Sequence, residues 1–229
     1  MKNVLIDMDG TITQSRVGYE EVGFPEFVLR DLIMEETGTG ESKALEQVLR
    51  MESTVPAGDP FLALAKHRIG ITGKDLWKRI ARDALKYFRP YDDAMDMIKM
   101  LSKVGFRLYI ASNVSRSRIL AMLASIGLPA DLKRSRVFCE VYGHELVGCL
   151  KSSPEFYRRM MAREGLLGKE TVMIGDNPHD DCLSALAAGI CMSVIVNRKQ
   201  KEDIKKAESA YYVKSLMLVP GLLKARSGS

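Results

Sequence analysis

Several features are scarce in this 229-residue sequence, and each absence excludes a class of protein. No apolar segment approaches the ~20 residues that a membrane-spanning helix needs, and acidic residues from Asp7 onward argue against a signal peptide. The four cysteines form no C-x-x-C pair and no Cys/His cluster with zinc spacing, so reduced thiols are the expected state. We therefore expect a cytoplasmic protein without membrane contact or structural zinc.

A strong excess of one charge sign is also missing. The 34 Lys and Arg residues stand against 29 Asp and Glu residues, which gives a formal net charge of +5. This mild excess favours anionic ligands in general, but the basic residues are dispersed except between Arg198 and Lys206. We interpret that run as an exposed helix face and do not expect nucleic-acid binding.

The most informative stretch covers residues 4–11, with the sequence VLIDMDGT. Its first three residues form a short apolar run rich in β-branched side chains, which is typical of a buried strand. Asp7 and Asp9 follow with one residue between them, and Gly10 permits a turn and a close approach of a ligand to the backbone. On these residues alone, a ligand site at the end of a strand and an ordinary Asp-Gly turn both remain open.

Helical signals dominate from Gln14 to Pro90, and no strand signal interrupts them. Proline or capping residues at positions 25, 59–60 and 72–75 open helices, and glycines at 38, 40 and 70 close them. Apolar residues at helical spacing lie between these signals. This segment predicts about four consecutive helices.

The pattern changes after Pro90. Helices are predicted over 92–103, 115–126, 154–165 and from the loop after 175 to 188, and strands over 106–111, 137–141, 171–174, 190–196 and 211–213. Strands that alternate with helices of about 10–15 residues indicate βαβ units and a parallel sheet. The predicted fold class is therefore α/β, with a Rossmann-like core from residues 1–15 and 91–229 and an inserted helical domain over 16–90.

Polar side chains follow three of the predicted strands at the point where each strand ends. Asp7 and Asp9 follow the first strand, Ser112-Asn113 follows another, and the acidic loop 176–181 follows a third. Lys151 directly precedes a strong helix start. Because the carboxyl ends of parallel strands meet at one edge of a sheet, we expect these groups to lie close together.

The chemistry of these groups points to phosphoryl transfer. Several carboxylates beside one lysine cannot all ionise without a further cation, and Mg²⁺ with oxygen ligands meets this need. An aspartate beside a metal and a lysine suits attack on phosphorus with formation of an aspartyl-phosphate. Ser112, backbone N–H groups and Lys151 can hold the phosphoryl oxygens, and a second carboxylate can transfer protons.

As a set, these motifs resemble those of the haloacid dehalogenase-like (HAD) hydrolase superfamily. Residues 7–11 resemble its first motif, Ser112-Asn113 the second and Lys151 the third. Asp176 with Asp181 resembles the acidic fourth motif, which is followed here by the sequence ALAAG. The helical insertion between the first and second motifs is similar to the family's C1-type cap, and the resemblance spans nearly the whole chain.

The resemblance also implies a role for each motif residue. Asp7 would be the nucleophile and Asp9 the general acid and base. Mg²⁺ would be held by the Asp7 side chain, the Asp9 backbone carbonyl and Asp176, while Asp181 orients the cluster. The residues expected to bind the phosphate are Gly10, Thr11, Ser112, Asn113 and Lys151.

The predicted function is a Mg²⁺-dependent phosphatase of the HAD type that acts on a small phosphorylated metabolite. A phosphomutase of the same superfamily and a non-catalytic phosphate-binding regulator remain as alternatives. A dehalogenase is not expected, because that reaction does not need the second aspartate and Asp9 is present. Asp180 is expected to complement a helix N-terminus, and His179 lies beside it without an assigned role. The sequence specifies neither the substrate nor an oligomeric state, although the helical segment offers candidates for binding an anionic group at Arg16, Arg30, Lys43 and Arg50.

Overall fold

The computed structural model describes residues 1–15, 24–83, 85, 88–129, 131–132 and 137–227. The chain divides into two compact units. The first comprises Met1–Gln14, Pro90–Asn113 and Asp131–Ser229, and the second comprises Ser15–Arg89 and Val114–Ala130. The sequence pattern assigned Val114–Ala130 to the core, whereas this segment packs with the helices of the second unit.

Strands and helices alternate along much of the chain. The strands are β1 (Asn3–Ile6), β2 (Thr13–Ser15), β3 (Phe88–Pro90), β4 (Arg107–Ala111), β5 (Phe138–Tyr142), β6 (Thr171–Gly175), β7 (Met192–Val196), β8 (Ile204–Ala207) and β9 (Ala210–Val213). The helices are α1 (Phe24–Thr37), α2 (Glu41–Glu52), α3 (Pro60–His67), α4 (Gly73–Asp83), α5 (Asp92–Val104), α6 (Arg116–Ser125), α7 (His144–Val147), α8 (Pro154–Glu164), α9 (Ala185–Ala187) and α10 (Val219–Ser227). A π-helical turn, Pro178–Ser184, leads into α9.

The first unit is built on a seven-stranded sheet in the order β5-β4-β1-β6-β7-β9-β8. All neighbouring strands are parallel except β8 and β9. Strand β1 lies inside the sheet between β4 and β6 and is buried along its whole length, which fits its continuous apolar sequence. The predicted α/β fold with a mostly parallel, Rossmann-like sheet is confirmed.

The register of the central strands brings three chain segments to the same level. Ile6 of β1 lies beside Ile110 of β4 and Ile174 of β6. The polar residues that follow these strands therefore leave the sheet at one edge. The backbone N–H of Asp7 continues the ladder by donating to the carbonyl of Ile174 at 2.8 Å.

Alternate side chains of the central strands pack under helix α8. Leu5, Tyr109 and Met173 belong to one buried cluster with Phe156 and Met160 of that helix. Full burial of an apolar side chain of this size contributes about 1.5–3 kcal/mol to folding. Ser153 caps α8 by accepting a hydrogen bond from the backbone N–H of Glu155. The helix that begins after Lys151 is thereby fixed against the strands that carry the polar edge.

Two details of the fold differ from the sequence predictions. Residues 198–206 do not form an exposed helix, because the chain turns there and then forms β8, which is an exposed edge strand. Lysine side chains on such an edge discourage pairing with further strands. Strands β2 and β3 pair with each other at the two ends of a segment for which no strand was predicted. Residues 84, 86 and 87 of the segment predicted as helical lie outside the described residues.

Two features bear on the expectations drawn from composition. All four cysteines are free thiols. In the part of the chain that the structure describes, none of the helices combines the length and the apolar character needed to cross a bilayer.

The second unit contains a buried group of acidic side chains around one arginine. Glu26, Glu52 and Asp59 are each less than 10% exposed, as is Arg118. Arg118 pairs with Glu26 at 3.6 Å, and Asp59 accepts a hydrogen bond from the backbone N–H of Ser115 at 2.8 Å. Burial and the charge of Glu26 raise the pKa of Glu52 to about 9, although Arg118 opposes the shift. Glu52 is therefore protonated at neutral pH in the folded protein.

This raised pKa predicts a pH-dependent gain in stability for Glu52→Gln. Above about pH 4 the unfolded chain releases a proton that folded Glu52 keeps, so the parent protein loses stability as the pH rises toward 9. The glutamine variant avoids this loss, and its advantage in the free energy of unfolding should grow by about 1 kcal/mol per pH unit between pH 5 and 8. Urea unfolding at several pH values measures the difference, with Glu46→Gln on the exposed face of α2 as the control. A difference that does not change with pH would contradict the assignment.

Candidate active site

The polar residues predicted from the sequence meet at the carboxyl edge of the sheet in the first unit. Asp7 follows β1, Ser112 follows β4 and Asp176 follows β6. Carboxylate oxygens of Asp7, Asp176 and Asp181 lie within 4.8 Å of one another. The strand register and the loop after β6 therefore gather three acidic groups from distant parts of the sequence.

Lys151 lies between two of these acids and is only 3% exposed. Its ammonium group donates to Oδ1 of Asp7 and, at 2.7 Å, to Oδ1 of Asp181. The backbone N–H of Lys151 donates to Oδ1 of Asn113 at 2.7 Å. The lysine is thus held from both its backbone and its side chain, immediately before helix α8.

More acidic side chains than basic ones lie in this cluster, and the pKa values of two of the acids are raised. Burial raises the pKa of Asp7 well above its usual value, the charges of Asp181 and Asp176 add to this, and Lys151 opposes it. Burial also raises the pKa of Asp176, with a further contribution from Asp181. Burial disfavours the charge on Lys151, but Asp7 and Asp181 outweigh that effect and raise its pKa. The single ammonium group therefore does not offset the effect of burial and of the neighbouring acids on the pKa values of Asp7 and Asp176.

The donor set fits a hard divalent cation. Asp7 and Asp176 offer carboxylate oxygens, and neither histidine nor cysteine belongs to this group among the described residues. Asp181 is fully buried, and its Oδ2 accepts hydrogen bonds from the backbone N–H groups of Asp176 and Asn177 at 3.2 and 3.1 Å. Because its other oxygen faces Lys151, Asp181 is suited to orienting the loop around Asp176.

Two glycines make the close approach of these carboxylates possible. Gly10 has φ of +79°, and a Cβ atom at this position would lie 2.1 Å from Oδ2 of Asp176. A Cβ atom on Gly175 would lie 2.1 Å from Oδ2 of Asp181. Any side chain at either position would displace an acidic group from the cluster.

The loop after β1 also orients the Asp7 carboxylate. The Thr11 hydroxyl donates to Oδ2 of Asp7 at 3.3 Å, on the oxygen that Lys151 does not contact. Within the same loop, the backbone N–H of Ile12 donates to the carbonyl of Met8 at 2.9 Å. Each oxygen of Asp7 therefore has its own hydrogen-bond donor. The Asp9 side chain is exposed.

Asn113 links the remaining motifs to each other. Its Nδ2 donates to Oδ2 of Asp180 at 2.9 Å, and its backbone carbonyl accepts a hydrogen bond from Nδ1 of His144 at 2.9 Å. The Tyr157 hydroxyl donates to the carbonyl of Asp180, and His179 contacts the Asp180 carboxylate. Asp180 therefore does more than complement a helix N-terminus, because it also holds the Asn113 side chain.

Sequence reasoning missed two residues of this region. His144 is buried beside Asn113, and a lone histidine after a strand gave no signal of this contact. Arg198 donates to the Gly10 carbonyl at 3.0 Å, although its run of basic residues indicated a solvated surface. A cavity of about 260 Å³ opens next to Gly10, Asp176 and Arg198.

The proposed anion-binding side chains of the helical segment belong to the second unit. Arg30 forms ion pairs with Asp31 and Glu41, both at 2.6 Å. Lys43 and Arg50 are exposed, and Arg16 lies outside the described residues.

The charge arrangement predicts a large loss of stability for Lys151→Met. The substitution leaves Asp7 and Asp181 buried without their counter-charge, which should lower the free energy of unfolding by about 3–5 kcal/mol near pH 8. The loss should be smaller near pH 5, where one carboxylate takes up a proton more easily. Urea unfolding at both pH values provides the measurement, with the exposed Lys169→Met as control. A loss below about 1 kcal/mol at both pH values would show that the ion pairs do not stabilise this edge of the sheet.

Known proteins share both the sequence pattern and the fold. Residues 1–189 match the family described as haloacid dehalogenase-like hydrolase. A 5'-nucleotidase of Pseudomonas aeruginosa is 25% identical over 97% of this chain and 96% of its own length. The pyrophosphatase PpaX of Halalkalibacterium halodurans is 24% identical over 94% of each chain. These two relatives therefore align with almost the full length of the sequence.

A solved structure extends the likeness to three dimensions. The HAD phosphatase from Thermococcus onnurineus superimposes with a TM-score of 0.67 and 21% identity over 97% of this chain and 98% of that one. At this identity the superposition supports the fold, while the family match covers most of the sequence and carries the assignment. The chain belongs to the haloacid dehalogenase-like hydrolase family.

Proposed function

We propose that the chain is a Mg²⁺-dependent phosphatase that hydrolyses a small phosphorylated metabolite through an aspartyl-phosphate on Asp7. The observation that carries this proposal is the buried ammonium group of Lys151, which contacts both Asp7 and Asp181. A carboxylate in this setting is held in a fixed orientation beside a positive charge. The same charge can stabilise the phosphoryl oxygens that gather negative charge during transfer.

In the first step, an oxygen of Asp7 attacks phosphorus and forms a new P–O bond while the bond to the leaving oxygen breaks. Asp9, which is exposed, donates a proton to the leaving oxygen. In the second step, Asp9 takes a proton from water, whose oxygen attacks phosphorus. The P–O bond to Asp7 then breaks, which releases inorganic phosphate and restores the Asp7 carboxylate.

The remaining motif residues would hold the phosphate and the metal. We assign the phosphate to Ser112, Asn113, Lys151 and the backbone of the loop that contains Gly10 and Thr11. Asp7, Asp176 and the Asp9 carbonyl would hold Mg²⁺, which supplies positive charge for a phosphate group beside crowded carboxylates. Asp181 would keep Asp176 and Lys151 in place, as its hydrogen bonds indicate.

The names of the relatives support hydrolysis of a phosphate compound over the alternatives. Two of the relatives are a 5'-nucleotidase and a pyrophosphatase. A phosphomutase would use the same aspartate, but neither relative carries such a name. A non-catalytic binder is disfavoured because Asp7, Lys151 and Asp176 are all present and close together. We further propose that the helical segment 16–90 serves as a C1-type cap.

Removal of the metal should abolish turnover. EDTA should stop phosphate release from an aryl phosphate, and added Mg²⁺ should restore it, because the acidic cluster otherwise repels the substrate. Asp176→Asn should raise the Mg²⁺ concentration for half-maximal activity by about 10–100-fold. Asp96→Asn, which changes an exposed acid on α5, should leave that concentration unchanged. Full activity of the parent enzyme in chelator would refute the metal assignment.

Substitution of Asp7 and substitution of Asp9 should reduce turnover in different ways. Asp7→Asn should eliminate turnover, because an amide is a poor nucleophile. Asp9→Asn should lose about 10²–10⁴-fold in turnover rate. It should also accumulate phosphorylated protein. Formation of the aspartyl-phosphate from an aryl ester needs little protonation of the leaving group, whereas hydrolysis of that intermediate needs Asp9 as the base. Rapid acid quench followed by intact mass measurement detects the added phosphoryl group. Turnover by Asp7→Asn at the parent rate would overturn the mechanism.

A further inference from the structure

Arg198 connects the loop of the nucleophile to two other parts of the first unit. Its guanidinium group donates to the carbonyls of Gly10 and Thr11 at 3.0 and 3.2 Å. The same group pairs with Asp93 at 3.1 Å and lies 3.4 Å above the ring centre of Tyr91. Its side chain is 24% exposed, so this arrangement is largely removed from solvent.

The partners of Arg198 are themselves fixed. Oδ2 of Asp93 accepts hydrogen bonds from the Ser215 hydroxyl and the backbone N–H of Leu216, both at 2.9 Å. The backbone N–H of Tyr91 donates to the carbonyl of Ile12 at 2.9 Å. The guanidinium group therefore lies between an anchored carboxylate, an anchored ring and the loop that follows Asp7.

Fixing two carbonyls also fixes the peptide groups that contain them. A peptide unit is planar and trans, so the N–H groups of Thr11 and Ile12 point away from the carbonyls that Arg198 holds. The Thr11 hydroxyl on this ordered backbone donates to Asp7 at 3.3 Å. Arg198 is thereby joined to the nucleophile through one intervening residue, without touching it.

We propose that Arg198 is a positioning residue for the nucleophile. It holds the Gly10–Thr11 backbone so that the Thr11 hydroxyl keeps Asp7 oriented for in-line attack on phosphorus. This inference rests on the proposed function of Asp7. It assigns a catalytic consequence to a residue outside the four motifs, 188 positions from Gly10 in the sequence.

Arginine suits this role in a way that lysine does not. Its planar fork presents several N–H donors at once, which matches two carbonyls and a carboxylate on one side chain. Its flat face also stacks on the Tyr91 ring, where a cation is attracted to the π system. Lysine would keep the charge but would lose the simultaneous contacts.

The kinetic test compares Arg198→Lys and Arg198→Met with the parent enzyme on an aryl phosphate in saturating Mg²⁺. A small displacement of the nucleophile from the line of attack costs up to about 10²-fold, so kcat should fall by about 10–100-fold in both variants. KM should change less than about threefold, because Ser112, Asn113 and Lys151, the side chains assigned to the phosphate, are unchanged in both variants. Arg198→Lys keeps the positive charge and Arg198→Met removes it, so comparison of the two variants separates the effect of the lost contacts from that of the lost charge.

Arg226 provides a matched control. It lies in the same unit, stacks over Tyr211 with a distance of 5.6 Å to the ring centre, and donates to the hydroxyl of that tyrosine at 2.7 Å. Arg226→Lys and Arg226→Met therefore remove a similar arginine–tyrosine pair, whose contacts are with Tyr211 and not with the loop after Asp7. Both control variants should retain the kcat of the parent.

A second measurement does not depend on turnover. Amide hydrogen exchange of a peptide covering residues 8–13 should be faster in the Arg198 variants and unchanged in the Arg226 variants. If the parent protein releases no phosphate from any ester, the proposed function is refuted. Faster exchange in the Arg198 variants would in that case still support the link between Arg198 and the loop. An unchanged kcat in both Arg198 variants would overturn the positioning role, and so would a rise in KM with kcat preserved.

Discussion

The site depends on one buried ammonium group between two carboxylates. Lys151 contacts Asp7 and Asp181 at a depth where an isolated charge of either sign would be strongly destabilised. Its removal would leave two buried acids close together without a counter-charge. The helix start that carries Lys151 and the strand ends that carry the acids are therefore interdependent. This edge of the sheet is ordered by charge balance as much as by apolar packing.

That balance is incomplete, because three acidic side chains of the cluster face one ammonium group. Burial and neighbouring acids raise the pKa values of Asp7 and Asp176 even with Lys151 present. A divalent cation would relieve this and would also attract a phosphate group. The glycines at 10 and 175 permit the crowding, since a Cβ atom at either position would strike a carboxylate. Thr11 also donates a hydrogen bond to Asp7, and Arg198 donates one to the carbonyl of Thr11.

The sequence was informative wherever the signal was local. The buried run of β1, the proline and glycine boundaries of the helices and the spacing of the acidic residues each lie within a few positions. Contacts between distant segments are not predictable from local sequence, as the hydrogen bonds from Asn113 to Asp180 and from Arg198 to Gly10 illustrate. The sequence predicts an exposed helix where β8 lies, because an edge strand rich in lysine has the composition of a solvated surface. Tertiary pairing with β9 decides its conformation.

The central claim is that Asp7 carries the phosphoryl group during turnover. The most direct test quenches the parent enzyme with acid during hydrolysis of a phosphate ester, reduces the protein with borohydride and maps the product by peptide mass spectrometry. Reduction converts an aspartyl-phosphate to homoserine. The account predicts homoserine at position 7 and at no other aspartate. Homoserine at a different position, or its absence at position 7 under conditions of steady turnover, would contradict it.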